Sequence, residues 1–248
     1  MRIVYTDQDD TMDYERRTQG LVTVEFTPID EHLVSDTLDH LSQGLTSTMQ
    51  YFQVDSFPGM CAVLAPSRAE FDRYITDVLQ VDIEIPSNPG RVALPQQENL
   101  AILSPRLWEE ESTLSPHHFG PIVRHETVHI IEEYLSPDIE KVPRWWSEGL
   151  AIYVSDQWIT LEQEKPELIA GIQNNTAPSF CSLCQDVNLA YVWGWTCVMY
   201  IELIYGQNMI NTLVRECSEN IMAKLGETDS SFEEKWKRWL PLLESSLT

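Results

Sequence analysis

The chain has 248 residues, and 43% of them are hydrophobic, which is enough apolar material for one large folded domain or two small ones. A disordered tail and a fibrous protein are therefore excluded. Asp and Glu number 39 against 16 Lys and Arg, so the net charge is −23 at pH 7. A nucleic-acid-binding protein needs a basic surface, and this composition provides none, so we expect no nucleic-acid partner.

The amino terminus and the cysteines bear on the compartment of the protein. The segment 1–17 carries acidic side chains where a secretory signal has its apolar core. No apolar run approaches the roughly 18 residues that a membrane-spanning helix needs. The five cysteines are an odd number in a chain too long to depend on disulfides. We expect a soluble cytoplasmic protein with reduced thiols and no membrane partner, whose oligomeric state stays open.

The first part of the chain alternates short apolar runs with helical stretches. Four segments have the length and apolar character of strands, and two longer segments have helical periodicity. The second helical segment opens with Ser67 and Glu70 at the spacing of a capping box. The predicted strands are Leu21–Thr27, Met60–Ala65, Arg91–Leu94 and Asn99–Leu103, and the predicted helices are 30–51 and 67–79.

From Ser115 and Pro116 onward the pattern is almost wholly helical, with breaks at Gly and Pro. We therefore predict an α+β protein, with a small mixed sheet and its helices at 1–115 and a mostly helical part at 116–248. The helices predicted in the second part are 121–135, 144–156, 160–173, 188–205, 207–217 and 230–240.

The segment 125–129 reads HETVH, which is the HExxH pattern. Because an α-helix has 3.6 residues per turn, His125 and His129 lie on one face and can reach one tetrahedral cation. Glu126 lies beside the open position of that cation, where a carboxylate can take a proton from water and pass one to a leaving amine. The pattern predicts one zinc ion per chain. The alternative is a surface helix on which both histidines belong to a polar stripe.

A zinc hydrolase needs a third protein ligand and an open fourth position. Eighteen residues separate Glu148 from His129, and this interval holds one loop and the start of another helix. An antiparallel helix that returns across so short a loop would bring Glu148 next to the two histidines. Two His and one Glu are a known catalytic ligand set for zinc, so Glu148 is the candidate third ligand.

The motifs HETVH (125–129) and WWSEGLA (145–151) resemble those of the gluzincin metallopeptidases, and within them the small peptidase MA-like proteins. Gluzincins carry HExxH followed by a downstream Glu ligand in a W-x-x-E-G-x-A-like setting. A looser similarity extends over most of residues 60–240. The resemblance implies a zincin-like fold with an N-terminal sheet, a C-terminal helical half and the active site between them.

The resemblance also implies a role for each matching residue. It assigns zinc binding to His125, His129 and Glu148. It assigns general base and acid catalysis to Glu126. Relatives stabilise the oxyanion with a Tyr or His from the helical half, and Tyr191 best matches that position. An equally ordinary role for Tyr191 is that of an aromatic core residue.

Relatives of this type also bind a peptide substrate by adding it as a strand to a sheet edge. The segment Asn99–Leu103, with Ala101 and Ile102 at its centre, could offer such an edge. A buried strand is equally compatible with this apolar segment.

One departure from the family concerns the groups that orient the ligands. Thermolysin-like gluzincins have an Asp four residues after the Glu ligand that orients the first His, and here that position is Ile152. The sequence therefore leaves the partners of the zinc ligands unassigned.

Cys181 and Cys184 form a CxxC pair outside these motifs. No second CxxC and no later histidine completes a structural metal site. We expect the pair to be two loop thiols.

Together, these residues favour a zinc-dependent metallopeptidase that hydrolyses a peptide or protein substrate with metal-activated water and Glu126 as general base. A second hypothesis is a catalytically weak or inactive gluzincin-like module used for binding or regulation. A third is a zinc hydrolase of a non-peptide amide. The presence of Glu126 beside all three candidate ligands favours the peptidase, while the substrate and the choice between endo- and exopeptidase action stay open.

Overall fold

A computed structural model of the protein describes residues 13–160, 165–216 and 220–247. The chain is a mixed α+β protein with an N-terminal sheet and a mostly helical remainder, as predicted. It forms two compact units. The sheet unit contains the described residues up to Gln43 together with Ser56–Val123, and the helical unit contains Gly44–Asp55 together with the described residues from Arg124 onward.

Among its described residues, the sheet unit has five strands: β1 (Glu15–Gln19), β2 (Val22–Phe26), β3 (Met60–Ala65), β4 (Ala93–Gln96) and β5 (Asn99–Leu103). Their order is β1-β2-β3-β5-β4. The three inner strands run parallel, and β1 and β4 pair antiparallel at the two edges. The inner strands are largely buried, which explains their apolar sequences, whereas β1 was not predicted because its residues are polar and exposed.

The pairing of β5 corrects one prediction. β5 lies between β3 and β4, so the segment Asn99–Leu103 has no free edge to which a peptide could be added. Ala101 and Ile102 are fully buried in this inner strand. The expected substrate-binding edge at these residues is wrong, because β4 folds back across a tight turn at Gln97 and covers it.

From residue 13 onward, four helices begin in the sheet unit: α1 (Val34–Tyr51), α2 (Arg68–Arg73), α3 (Trp108–Glu111) and α4 (Phe119–Leu135). The hydroxyl of Ser67 accepts a hydrogen bond from the backbone N–H of Glu70 at 3.2 Å, which caps α2 as the sequence predicted. A π-helical turn, Tyr74–Val78, continues α2.

In the described part of the helical unit, seven further helices follow: α5 (Arg144–Val154), α6 (Lys165–Gln173), α7 (Phe180–Gln185), α8 (Val187–Tyr205), α9 (Gln207–Glu216), α10 (Ile221–Lys224) and α11 (Asp229–Leu247). They follow the predicted helical segments closely and add the short α7 and α10. Residues 161–164 of the predicted helix 160–173 and the last residue of the predicted helix 207–217 lie outside the described residues.

The chain passes from one unit to the other within helices α1 and α4. The first turn of α4 belongs to the sheet unit, where Phe119 packs edge to face on Trp108 at 5.7 Å between ring centroids. The last turns of α1 belong to the helical unit, where a Cβ added to Gly44 would lie 2.8 Å from Oγ1 of Thr127.

Helix α8 corrects the expectation that no apolar run reaches membrane-spanning length. Its 19 residues are long and apolar enough to cross a membrane, with a mean hydropathy of 1.3. More than half of this stretch is buried inside the protein, and its buried positions lie all around the helix. A helix that is apolar on every side is also what the core of a soluble protein requires, and the structure is consistent with that role.

The CxxC pair lies on a helix and not in a loop, so that expectation is wrong. Ser179 caps α7 by accepting a hydrogen bond from the backbone N–H of Ser182 at 3.1 Å, and both Cys181 and Cys184 follow on this helix. Neither cysteine is in a disulfide, and both residues are exposed overall, although the sulfur of Cys184 is partly covered. Burial of its sulfur raises the pKa of Cys184 to about 11, so this thiol stays protonated at neutral pH.

Candidate metal centre

Helix α4 presents both histidines of the HExxH motif on one face. The Nε2 atoms of His125 and His129 lie 3.0 Å apart, because residues four apart in a helix are neighbours on its surface. His125 is buried and His129 is half-buried. The two imidazoles therefore converge on one point inside the helical unit.

Helix α5 brings Glu148 to the same point. Its Oε2 atom lies 3.4 Å from Nε2 of His125 and 3.5 Å from Nε2 of His129. Ligand atoms about 2.05 Å from a tetrahedral zinc ion lie roughly 3.3 Å from one another. The three side chains thus form a buried group of the size that a metal ion requires.

Gln157 supplies the contact that the sequence left unassigned for the first histidine. Its Oε1 atom lies 2.7 Å from Nδ1 of His125. An amide oxygen only accepts hydrogen bonds, so Nδ1 carries the proton and donates it. In the neutral ring of His125, the Nε2 atom then has a free lone pair that is directed at the metal position.

Ser147 and Glu132 hold the second histidine. The Ser147 hydroxyl donates a hydrogen bond to Oε2 of Glu132 at 2.6 Å. The Oγ atom of Ser147 also lies 3.2 Å from Nδ1 of His129. A serine hydroxyl has one proton, and it is committed to Glu132, so Nδ1 of His129 is the donor to Ser147. When His129 carries only this proton, as a metal ligand must, its Nε2 atom has a free lone pair as well.

The hydrogen bonds therefore show that the group fits a metal ion. With both rings neutral, the lone pairs of two Nε2 atoms 3.0 Å apart face each other, and the third member, Oε2 of Glu148, is buried without a hydrogen-bond partner. Such an arrangement is repulsive unless a cation or a proton lies among the three atoms. Its neutral-imidazole and carboxylate donors suit zinc as well as other divalent ions.

The pKa shifts of His129 and Glu148 also indicate that a positive charge is favourable among the three side chains. Burial alone would lower the pKa of His129, but Glu132 and Glu148 raise it well above its ordinary value. Burial would raise the pKa of Glu148, but His125 and His129 hold it well below its ordinary value. Without a metal, the group therefore retains a proton in its place.

Glu126 lies beside this group on α4, buried at 9% exposure. Burial raises the pKa of its carboxyl, and Glu148 raises it further, while the histidines act in the opposite direction. A carboxylate with a raised pKa is a better proton acceptor, which suits a general base that later returns the proton.

Tyr191 reaches the same group from α8. Burial raises the pKa of its phenol well above the ordinary value, and the carboxylates of Glu148 and Glu126 raise it further. The phenol therefore stays protonated at neutral pH and can donate a hydrogen bond near Glu148, although 41% of Tyr191 is exposed to solvent. Arg144, one turn before Glu148 on α5, brings a guanidinium to the site, with Nη1 at 3.7 Å from Oε1 of Glu148.

The metal-binding and catalytic residues predicted from the sequence lie at the site, whereas the residues that orient the metal ligands were not predicted. His125, His129 and Glu148 come together, Glu126 lies beside them, and Tyr191 is within electrostatic reach. Sequence reasoning missed the residues that orient the ligands. Glu132 had a signal, because it lies one helical turn after His129, and Ser147 had one, because it precedes the Glu ligand; Gln157 had none.

Comparison with known proteins adds no relative to this description. A scan of the chain against models of protein families finds no match, and a search of curated proteins finds none either. The functional interpretation therefore depends on the residues and geometry of the site.

Proposed function

We propose that the protein is a zinc-dependent metallopeptidase of the gluzincin type, with a zincin-like fold and one zinc ion per chain. The observation that carries the proposal is the convergence of His125, His129 and Glu148 on one buried point with Glu126 next to it. Two His and one Glu form a catalytic zinc set that leaves one position open. The HExxH helix and the WWSEGLA helix supply these residues in the order that gluzincins use.

Zinc, when bound, supplies the Lewis acidity that polarises a carbonyl and makes water nucleophilic at neutral pH. The carboxylate of Glu126 then takes the proton from the attacking water and delivers it to the leaving amine. The Tyr191 phenol donates a hydrogen bond to the oxygen on which negative charge develops. Gln157 keeps the proton of His125 on Nδ1, away from the metal position.

The test combines metal content with hydrolysis of a mixed peptide library, measured by mass spectrometry on the zinc-loaded full chain. We expect cleavage that a chelator abolishes and that added zinc restores. The variant Glu126→Gln should keep one zinc per chain and lose cleavage by several orders of magnitude. Cleavage that persists in this variant would refute the role of Glu126. Zinc binding without cleavage of any peptide by the wild type would refute the peptidase.

A further inference from the structure

Glu132 is a fully buried carboxylate beside the candidate metal centre that the proposed reaction does not use. Its Oε2 atom accepts the hydrogen bond from Ser147, while Oε1 has no hydrogen-bond partner. Burying a carboxylate in this way costs stability unless an opposite charge compensates for it. Among the described ion pairs, the one partner of Glu132 is the imidazole of His129, with Nδ1 at 3.6 Å from Oε2.

Ser147 connects Glu132 with two metal ligands at once. Its hydroxyl lies between Oε2 of Glu132 and Nδ1 of His129, and its backbone is directly joined to Glu148 on α5. The hydroxyl therefore ties the helix that carries the histidines to the helix that carries the glutamate. A shift of α5 along α4 would break this contact and move Glu148 away from the two Nε2 atoms.

The two histidines are held by chemically different partners. A neutral amide accepts the proton of His125, whereas the proton of His129 points to a hydroxyl whose own proton is bound by a carboxylate. Hydrogen bonds that involve an ionised group are roughly twice as strong as neutral ones. A carboxylate behind a ligating histidine also makes that imidazole a stronger donor to the metal.

We propose that Glu132 and Ser147 are positioning residues that keep the proton of His129 on Nδ1, orient its ring and strengthen it as a metal ligand. This inference rests on the proposed function only in requiring that the triad binds a metal ion. The buried charge of Glu132 is kept in the fold for this purpose, and Ser147 transmits its effect. The two act on one ligand, so their effects on metal affinity are not additive.

The experiment measures the zinc dissociation constant of the full chain by competition with a chromophoric chelator. Variants Glu132→Gln and Ser147→Ala should each weaken zinc binding by about 10- to 100-fold. The double variant should weaken it little more than the stronger single variant. Ser147→Thr restores the hydroxyl and should bind zinc within a few-fold of the wild type. Glu140→Gln removes an exposed carboxylate between the two ligand helices and serves as the matched charge control.

The absorption spectrum of the cobalt-substituted protein gives a second measurement that loss of stability alone would not change. Glu132→Gln and Ser147→Ala should shift the visible bands because His129 becomes a weaker donor, whereas Glu140→Gln should not. Circular dichroism establishes that each variant is folded. If Glu132→Gln does not fold, Ser147→Ala and its threonine counterpart still decide the question, since both retain the carboxylate.

The outcomes separate this proposal from the peptidase proposal. Wild-type affinity and spectrum in folded Ser147→Ala would overturn the positioning role even if the protein cleaves peptides. Weakened zinc binding in the variants would support the positioning role even if the wild type cleaves none. A wild type that binds neither zinc nor cobalt would overturn both.

Discussion

Gly149 and Gly194 lie against each other where helix α5 crosses helix α8. A Cβ added to Gly149 would come 2.4 Å from the carbonyl carbon of Gly194, and a Cβ added to Gly194 would come 2.5 Å from the carbonyl oxygen of Trp145. Both distances are far below van der Waals contact, so this approach of the two backbones requires glycine. Gly149 directly follows Glu148, so the crossing fixes the position of the candidate metal ligand.

Gly149→Ala should therefore force the two helices apart. We expect a loss of about 1–3 kcal/mol in the free energy of unfolding, as for other overpacked cores, measured by urea denaturation. Zinc content should fall as well, because Glu148 moves with α5. Gly90→Ala is the control, since its Cβ would lie 3.2 Å from the side-chain oxygen of Asn88 in an exposed loop. Equal stability of Gly149→Ala and the wild type would contradict the close approach.

Tyr191→Phe tests the role proposed for the phenol. Removal of a donor to a developing oxyanion should lower kcat by about 10²-fold with little change in KM. Zinc content should be unchanged, because Tyr191 is not a ligand in this proposal. Tyr205→Phe, at the other end of α8, is the control and should retain the wild-type kcat. An unchanged kcat in Tyr191→Phe would assign Tyr191 to packing.

Removal of the metal should destabilise the protein. Two histidine lone pairs and a buried carboxylate face the metal position. A zinc ion that binds only the folded state raises the free energy of unfolding by about 2.7 kcal/mol at a free zinc concentration 100 times the Kd. For a chain of this size, chelation should then lower Tm by about 5–10 °C, as measured by differential scanning calorimetry. In Glu148→Ala the chelator should have little effect. A wild-type Tm that does not respond to chelator or zinc would argue against metal binding.

The stability of the protein should depend on alkaline pH through Tyr153. Burial, together with the carboxylate of Glu202, raises the pKa of its phenol to about 12. A raised pKa stabilises the fold below the unfolded value of about 10, and this contribution disappears as the pH rises through 12.

At pH 8, Tyr153→Phe should be less stable than the wild type, because it loses the interaction of the phenol with Glu202. The expected loss is only about 1 kcal/mol, because the phenol is partly exposed and solvent screens this interaction. The difference in the free energy of unfolding should shrink steadily between pH 10 and 12, measured by urea denaturation at each pH. A difference that stays constant from pH 8 to 12 would show that the phenol is not perturbed.

The parts of the fold that the sequence predicted are those in which local pattern and burial agree. β2, β3 and β5 are buried in the sheet, so most of their side chains are apolar. In α4, the four-residue spacing of His125 and His129 places both histidines on one face. β1 escaped prediction because an exposed edge strand needs no apolar side chains. The edge expected at Asn99–Leu103 failed because strand order depends on how the β4–β5 hairpin folds, which apolar content does not encode.

The candidate site divides in the same way. His125 and His129 follow from helical periodicity, and Glu148 follows from a short loop between two helices. Gln157 could not be predicted, because it reaches His125 only after the chain leaves α5 through Asp156, which adopts a left-handed φ of 59°. Side chains that orient metal ligands depend on such turns, and a turn at a residue other than glycine leaves little trace in sequence.

The continuity of the segment 125–157 has a consequence for how the protein is made. Apart from Tyr191, the side chains described around the metal position all come from this segment. Contacts between near neighbours in sequence cost little loop-closure entropy and form quickly. During synthesis the whole ligand set leaves the ribosome before α8 does. Under the proposed function, zinc binding would pair α4 with α5 in the nascent chain before the apolar α8 folds against them.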